Sequence, residues 1–421
     1  MQTLPYLRRG LCLKWVFATV VAPFFMTTLT ILSKRVGPIR GHHPWVFSGA
    51  IKHIPEGLAS GEPVELLDET GKFLAAGYFN SYSQIAVRLW GFEQNVLIDQ
   101  DFFVTKLRHA LDLRTRFVET KTTNAYRLVY GENDGLPGLI VDRYSDYLVV
   151  QFHNAGIARW KKELVAALVE VLSPAGIYER SDVGGRTKHE RADEAGAVTG
   201  LLYGEVPDRI TILENNIQFA VDVKTGQKTG FFLDQRDKRL ALQKYVAGKK
   251  VLNCFSYSGG FSLYALKACA AQVVSVDASV QALELGEASL KLNKLPEDKA
   301  EWIAADVKEY LADREQGDFD VIILDPPAFV KDRHKIKEGL VGYRHINEQA
   351  LRVLPPGGIL VTASCSAHVT LTDFRYMLSE AAARAGRSLQ ILETYTHGID
   401  HPELVAFTEG EYLKVLFCMV N

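Results

Sequence analysis

The chain has no Cys-x-x-Cys pair, no excess of basic residues, no GxGxxG fingerprint and no uninterrupted apolar run long enough to span a membrane. Its five cysteines, Cys12, Cys254, Cys269, Cys365 and Cys418, are scattered and odd in number, which argues against a disulfide framework or a zinc site and fits a reducing cytoplasm. Lysine and arginine (48) are matched by aspartate and glutamate (50), so any nucleic-acid partner must be held by a local patch rather than by the field of the whole surface. The missing glycine pattern weakens a pyrophosphate-binding dinucleotide site. The apolar run Leu11 to Phe25 is interrupted by Lys14 and Pro23, falls short of the ~20 residues a spanning helix needs, and offers a poor signal-cleavage site. Residues 1–25 are therefore read as an over-extended start or a disordered leader, with export as the lesser alternative. Met26 stands directly before the first strand pattern.

With 421 residues, 47% of them hydrophobic, the chain can bury two or three cores. From 27 to 95 short β-branched runs (Leu29 to Leu32, Val64 to Leu67, Phe73 to Tyr78, Ile85 to Leu89) separated by Gly and Pro predict a small all-β module. From 96 to 208 a helix over Ile98 to Val118, with Asp99 placed to cap it, leads into an α+β unit. Its strands are Tyr126 to Tyr130, Leu139 to Tyr144, Tyr147 to Phe152 and Gly176 to Arg180, with a helix from Ile157 to Leu172. The charged stretch Asp182 to Glu194 reads as exposed. Arg209 to Leu213 and Ile217 to Val223 flank Asn215-Asn216, a hairpin signal that opens the last domain, 209–421. There, five buried runs starting at Val251, Val273, Trp302, Val321 and Gly358 alternate with amphipathic helices, which predicts a parallel, doubly wound sheet with ligands at the carboxyl ends of its strands.

Chemistry-bearing residues recur at those ends. The segment Phe255-Ser256-Tyr257-Ser258-Gly259-Gly260 closes the first run and opens a helix, so free N–H groups and close backbone approach favour an anionic ligand. A tight turn with no ligand is the plain alternative. Acids follow at Asp277, Asp306 and Asp325, one after each of the next three runs. An acid after the second strand can take both ribose hydroxyls and one after the third an adenine amine, which fits an adenosyl ligand. In Asp325-Pro326-Pro327-Ala328-Phe329 two prolines fix an acceptor and an aromatic face at one strand end, a pairing suited to a planar base. Cys365, in Ser364-Cys365-Ser366, ends the fifth run and is the candidate nucleophile, whereas Cys254, Cys269 and Cys418 read as packing residues. The basic segment carrying Lys331, Arg333, Lys335 and Lys337 follows Phe329 and supplies the local positive field expected of an RNA contact. No metal site is expected.

On these residues the chain resembles the bacterial large-subunit ribosomal RNA cytosine-5 methyltransferases of the RlmI type, from about Met26 to the C-terminus. His43-Pro44-Trp45-Val46-Phe47-Ser48-Gly49-Ala50-Ile51 is similar to that family's PUA domain, an RNA-binding pseudo-barrel, and Gly131 to Asp142 resembles its central-domain signature. The resemblance implies a multidomain α/β architecture: a PUA-like barrel, a central α+β domain and a Rossmann-like class I methyltransferase domain. It implies S-adenosylmethionine as cofactor, with Gln227, Phe232, Asp234 and Arg236 of the stretch Gln227 to Arg236 against it, and Cys365 as nucleophile. Large-subunit ribosomal RNA is the expected partner, a membrane is not expected, and a homodimer is left open. The second cysteine that many RNA cytosine-5 methyltransferases carry after the fourth-strand proline is absent, Pro327 and Ala328 standing there, so the base that takes the C5 proton is not identified.

The expected reaction is addition of Cys365 to carbon 6 of a cytosine, methyl transfer to carbon 5, then loss of the proton and of the thiol, with Asp325 on the N3/N4 edge and Phe329 stacking on or shaping the base pocket. His368 or the local field would favour the thiolate. Two other readings stay open: an RNA N-methyltransferase, which needs no cysteine, and a catalytically inactive RNA-binding assembly factor.

Overall fold

The computed structural model describes residues 26–182, 198–330 and 332–421. The leader, most of the stretch from Asp182 to Glu194, and Lys331 lie outside them.

The first module is a five-stranded sheet in the order β1-β3-β4-β5-β2, built from β1 (Thr27–Ile31), β2 (Trp45–Phe47), β3 (Pro63–Asp68), β4 (Phe73–Phe79) and β5 (Ile85–Gly91). β3 alternates half-buried and buried residues, the period-2 pattern of a strand with one face on a core, here Leu29, Ile31, Val64, Leu66 and Val87. The sequence reading missed β2, which is too short to show a period. Gly77 lets β4 curl onto β5, since a Cβ there would lie 2.2 Å from the Arg88 carbonyl oxygen.

The helix Gln100–Phe117 begins where the Asp99 side chain accepts from the Phe102 amide at 3.0 Å, the expected cap. The central sheet runs β10-β9-β8-β7-β6, from β6 (Ala125–Tyr130), β7 (Leu139–Tyr144), β8 (Tyr147–Phe152), β9 (Gly176–Arg180) and β10 (Thr199–Gly204). The expected helix from Ile157 is two pieces, Ala155–Ala158 and Lys161–Leu172. β11 (Ile210–Glu214) and β12 (Ile217–Val221) form the hairpin, with Asn215 at φ 48° and Asn216 at φ 61°, the two left-handed residues a two-residue turn of this hand requires.

The last sheet has seven strands, ordered β15-β14-β13-β16-β17-β19-β18. Five are parallel: β13 (Lys250–Cys254), β14 (Gln272–Asp277), β15 (Ala300–Ala304), β16 (Val321–Leu324) and β17 (Ile359–Ser364). Both faces are covered, with Leu252, Val274 and Ile322 in one core and Val251, Val273 and Ile323 in the other, which is why these strands read as unbroken apolar runs. The fold adds what periodicity did not predict: β18 (Leu389–Tyr395) and β19 (Lys414–Val420) complete the sheet antiparallel, β19 lying between β17 and β18. From β13 the chain winds to β14 and β15 on one side, then to β16 and β17 on the other. The topological switch therefore opens a crevice at the carboxyl end of β13.

The three larger sheets are tied by contacts between distant segments. Trp45 Nε1 donates to Glu132 Oε1 at 2.7 Å and its ring meets Phe407 edge-on at 4.8 Å. The Tyr130 hydroxyl donates to the Gly410 carbonyl at 2.7 Å, and the Arg127 amide donates to Asp400 Oδ2 at 2.9 Å. Among the described residues, no helix is long and apolar enough to cross a membrane.

Candidate active site

A cleft of about 320 Å³ opens at the switch point. Its floor is the loop after β13, where Phe255 (φ 57°), Tyr257 (φ 48°) and Gly259 (φ 69°) all take left-handed backbone, a conformation held by its neighbours. The Ser256 amide donates to the Val276 carbonyl (3.0 Å), the Tyr257 amide to Asp277 Oδ2 (2.8 Å) and the Gly259 amide to the Ser256 carbonyl (2.8 Å). Gly259 must be glycine, because a Cβ would sit 2.4 Å from the Trp302 ring. Asp277 ends β14 with its other oxygen accepting from the Ser279 amide at 2.9 Å, so its carboxylate is fixed by backbone on both sides. Asp306 also lines the cleft but stands two residues past β15, exposed, capping the helix Val307–Ala312 through the Lys308 amide at 2.7 Å.

The opposite wall is the segment before the helix Arg236–Leu242. Gln227, Phe232, Asp234 and Gln235 line the cleft, as does Lys228 of the same stretch, to which the sequence reading gave no role of its own. Asp234 accepts from Lys228 Nζ at 2.9 Å and from the Tyr412 hydroxyl at 2.5 Å. Burial opposes its ionisation, but Lys228 and His401 outweigh burial and hold its carboxyl well below the usual range. Asp325 follows β16 and accepts from Gln235 Nε2 at 3.0 Å; burial, then the charge of Asp234, pushes it up to about 6.

Cys365, just past β17, faces this cleft with Sγ 3.8 Å from the Pro326 carbonyl oxygen. It is the one cysteine among the described residues that does so. Burial pushes its thiol up to about 11, with Lys228 pulling it down and Asp325 and Asp234 pushing it further up. Cys254 and Cys418 are buried and packed, as expected. Cys269 is not: it is exposed at φ 62°, in the turn after the helix Gly260–Lys267.

Two expected residues stand elsewhere. Arg236 does not line the cleft, because Asp400 draws it away: Nη2 lies 2.8 Å from Asp400 Oδ1 with both side chains buried. Phe329 is not among the residues that line the cleft; it packs against Tyr343 at 4.7 Å and against Gly342, an arrangement that leaves it to shape the pocket from behind Pro326 and Pro327 in sequence. His368 is exposed; Lys228 in the cleft pulls the thiol down, and the buried Lys414 acts on it as well. Arg333, Lys335 and Lys337 are exposed, but they form a short turn and the start of the helix Ile336–Val353 where a loop was expected.

The residues present fit an adenosyl sulfonium donor: an acid at the end of the second parallel strand, a loop with left-handed backbone, and buried polar atoms, Ser256 Oγ, Asp234 Oδ1 and Gln235 Oε1, that no protein group satisfies. A doubly wound sheet with this cleft at its switch point defines the class, that of the S-adenosylmethionine-dependent methyltransferases. Residues 158–417 match the S-adenosylmethionine-dependent methyltransferase family and residues 29–92 a PUA-like domain. The chain is 44% identical to ribosomal RNA large subunit methyltransferase I of Tolumonas auensis over 394 residues, 93% of this chain and 98% of that one. It is 43% identical to the protein of the same name in Aliivibrio fischeri, covering 94% of this chain and all of that one. Among solved structures, a methyltransferase complexed with SAH superposes with a TM-score of 0.79 at 26% identity, covering 94% of this chain and 100% of that one. A SAM-dependent methyltransferase from Streptococcus mutans gives 0.78 at 25% over the same shares. This chain belongs to the ribosomal RNA large subunit methyltransferase I family, and its cofactor is S-adenosylmethionine.

Proposed function

We propose that the protein methylates carbon 5 of a cytosine in large-subunit ribosomal RNA through a covalent adduct with Cys365. The observation that carries this reading is the meeting of Cys365 and Asp325 in one cleft with the donor-side residues. The relatives' name supports ribosomal RNA as substrate. Asp277 holds the donor ribose and Asp306 its adenine, with Gln227 and Phe232 on the opposite wall. Bound there, the donor supplies an electrophilic methyl group.

Carbon 5 of cytosine is too weak a nucleophile to take that methyl group unaided, so the ring must first be activated. The Cys365 thiolate adds to carbon 6, forming the S–C6 bond while the C5–C6 electron pair becomes an enamine. A carboxyl that titrates at about 6 can pass its proton to N3 as the thiolate adds, leaving a neutral adduct, and Asp325 is that group. After carbon 5 gains the methyl group it loses its proton to a base. The S–C6 bond then breaks with its electrons returning to sulfur, and N3 returns its proton to Asp325. The exposed Arg333, Lys335 and Lys337, with Lys331 of the same basic segment and the PUA-like module, hold RNA phosphates.

A thiol pushed up to about 11 favours a second reading, N-methylation, which needs no thiolate. Substrate RNA carrying 5-fluorocytosine separates the two. Covalent addition predicts a denaturation-resistant adduct with the wild type and with Cys254→Ala, and none with Cys365→Ala, which should still bind S-adenosylmethionine because the thiol acts only along the reaction coordinate. An active enzyme that forms no adduct, or a Cys365→Ala variant of normal rate, hands the site to N-methylation.

A further inference from the structure

Lys228 occupies an unusual position for a cleft lysine. Its backbone is left-handed at φ 51°, costly for a residue with a Cβ, and neighbours on both sides hold it there. The Gln227 amide donates to the Tyr257 hydroxyl at 3.1 Å and the Gly230 amide to the Gln227 carbonyl at 2.8 Å. Thr229 Oγ1 donates to the buried Asp142 of the central domain at 2.6 Å. The side chain is fixed as firmly as its backbone. Nζ lies 2.9 Å from Asp234 Oδ2, 4.5 Å from the centre of the Phe232 ring and 5.6 Å from that of Tyr412. A carboxylate and two ring faces make a cage for a cation.

From these placements we propose that Lys228 is a positioning residue for the nucleophile: its caged ammonium sets the ionisation of Cys365 and so its readiness to attack. This rests on the reading of Cys365 as the nucleophile. Two lysines act against the groups that disfavour a thiolate, Lys228 in the cleft and the buried Lys414 of β19. Asp325, at the end of β16, and Asp234, on the facing segment, both disfavour a thiolate, and burial disfavours it more. Tyr343, from the helix Ile336–Val353, bonds the Ser366 hydroxyl at 2.9 Å, and Lys414, on β19, donates to the Ser366 carbonyl at 2.8 Å. Of the two cations that line the cleft, Arg239 is held by Glu214 at 2.8 and 2.7 Å, which leaves Lys228. Its pairing with Asp234 offsets part of this field but not all of it, since at the thiol the charge of Lys228 outweighs that of Asp234.

The test is the pH dependence of Cys365 alkylation by iodoacetamide in the full-length chain, followed at the Cys365 peptide by mass spectrometry. The exposed Cys269 serves as an internal reference that should react alike in every variant. An opposite charge a few ångströms from a titrating group moves it by about one pH unit or more, so in Lys228→Met the Cys365 midpoint should rise by that amount and its reaction slow about tenfold at a fixed pH below the midpoint. Lys228→Arg should keep the wild-type profile. Asp234→Asn, which removes a negative charge from the thiol's surroundings, should move the midpoint down, so the coupling stays testable if Lys228→Met does not fold. Superimposable wild-type and Lys228→Met profiles, or a Lys228→Arg profile that rises as far as the Met one, overturn the proposal. The profile and the trapping assay fail separately. An unshifted profile with a trapped adduct removes Lys228 from its role and leaves the mechanism standing, whereas a shifted profile without an adduct supports the coupling and removes carbon-5 chemistry.

Discussion

Replacing Asp277 by alanine is the most direct probe of the donor site. Its two carboxylate oxygens already accept the Tyr257 and Ser279 amides at 2.8 and 2.9 Å, so the group is oriented before any ligand arrives, and it lines the cleft. A hydrogen bond to a charged group contributes about 1.5–3 kcal/mol, so losing the pair to a ribose should weaken S-adenosylmethionine roughly 10- to 150-fold. The same change leaves two amides without their acceptor and loosens the loop that carries Tyr257, which places the expected loss toward the upper end of that range. Asp277→Asn keeps one accepting oxygen but turns an N–H toward a former donor, so it should fall between. Titration calorimetry with S-adenosylmethionine and S-adenosylhomocysteine measures the affinities, and thermal unfolding checks that each variant is folded. An alanine variant that unfolds cooperatively and binds both ligands with wild-type affinity would refute the assignment and the strand-end argument behind it.

Two further outcomes are expected. Arg236 and Asp400 form a buried pair, so Arg236→Met leaves Asp400 with only His401 and the Arg127 amide as partners and should cost about 3–5 kcal/mol of stability in denaturant unfolding, with a smaller fall in donor affinity than Asp277→Ala because Arg236 does not line the cleft. Burial opposes ionisation of Asp400, but His401 and Arg236 hold its carboxyl far below the usual range. Its contribution is therefore present above that range and lost as pH falls through it, and Arg236→Met should flatten this acid limb. Neutralising Lys331, Arg333, Lys335 and Lys337 together should weaken RNA binding and reduce the slope of log affinity against log salt by about 0.7–0.9 for each phosphate that these side chains no longer neutralise, with donor affinity unchanged. A wild-type slope would make the segment solvated surface.

Local signals explain most of what could be read from the chain alone. The five parallel strands of the last sheet were legible because each is buried on both faces and spells an apolar run, and strand ends in a doubly wound sheet converge on one crevice. Asp277, Asp325 and Cys365 could thus be placed from their positions one residue past, or at the end of, such runs. The Asn215-Asn216 turn and the Asp99 cap needed only neighbouring residues. Direction and partnership needed the whole fold. Arg236 sits in the same motif as Asp234 yet turns away, because its partner Asp400 arrives from 164 residues later in the chain. Phe329 was read as a face for a base until the helix Ile336–Val353 brought Tyr343 against it. Lys228 and Cys365 came into one cleft only in the folded chain, and β18 and β19 carried no period to announce that they would close the sheet antiparallel. Periodicity is set by which face of an element is buried, a local property that a sequence records. Which side chains meet across a cleft is set by contacts between segments distant in the chain, and no local pattern records those.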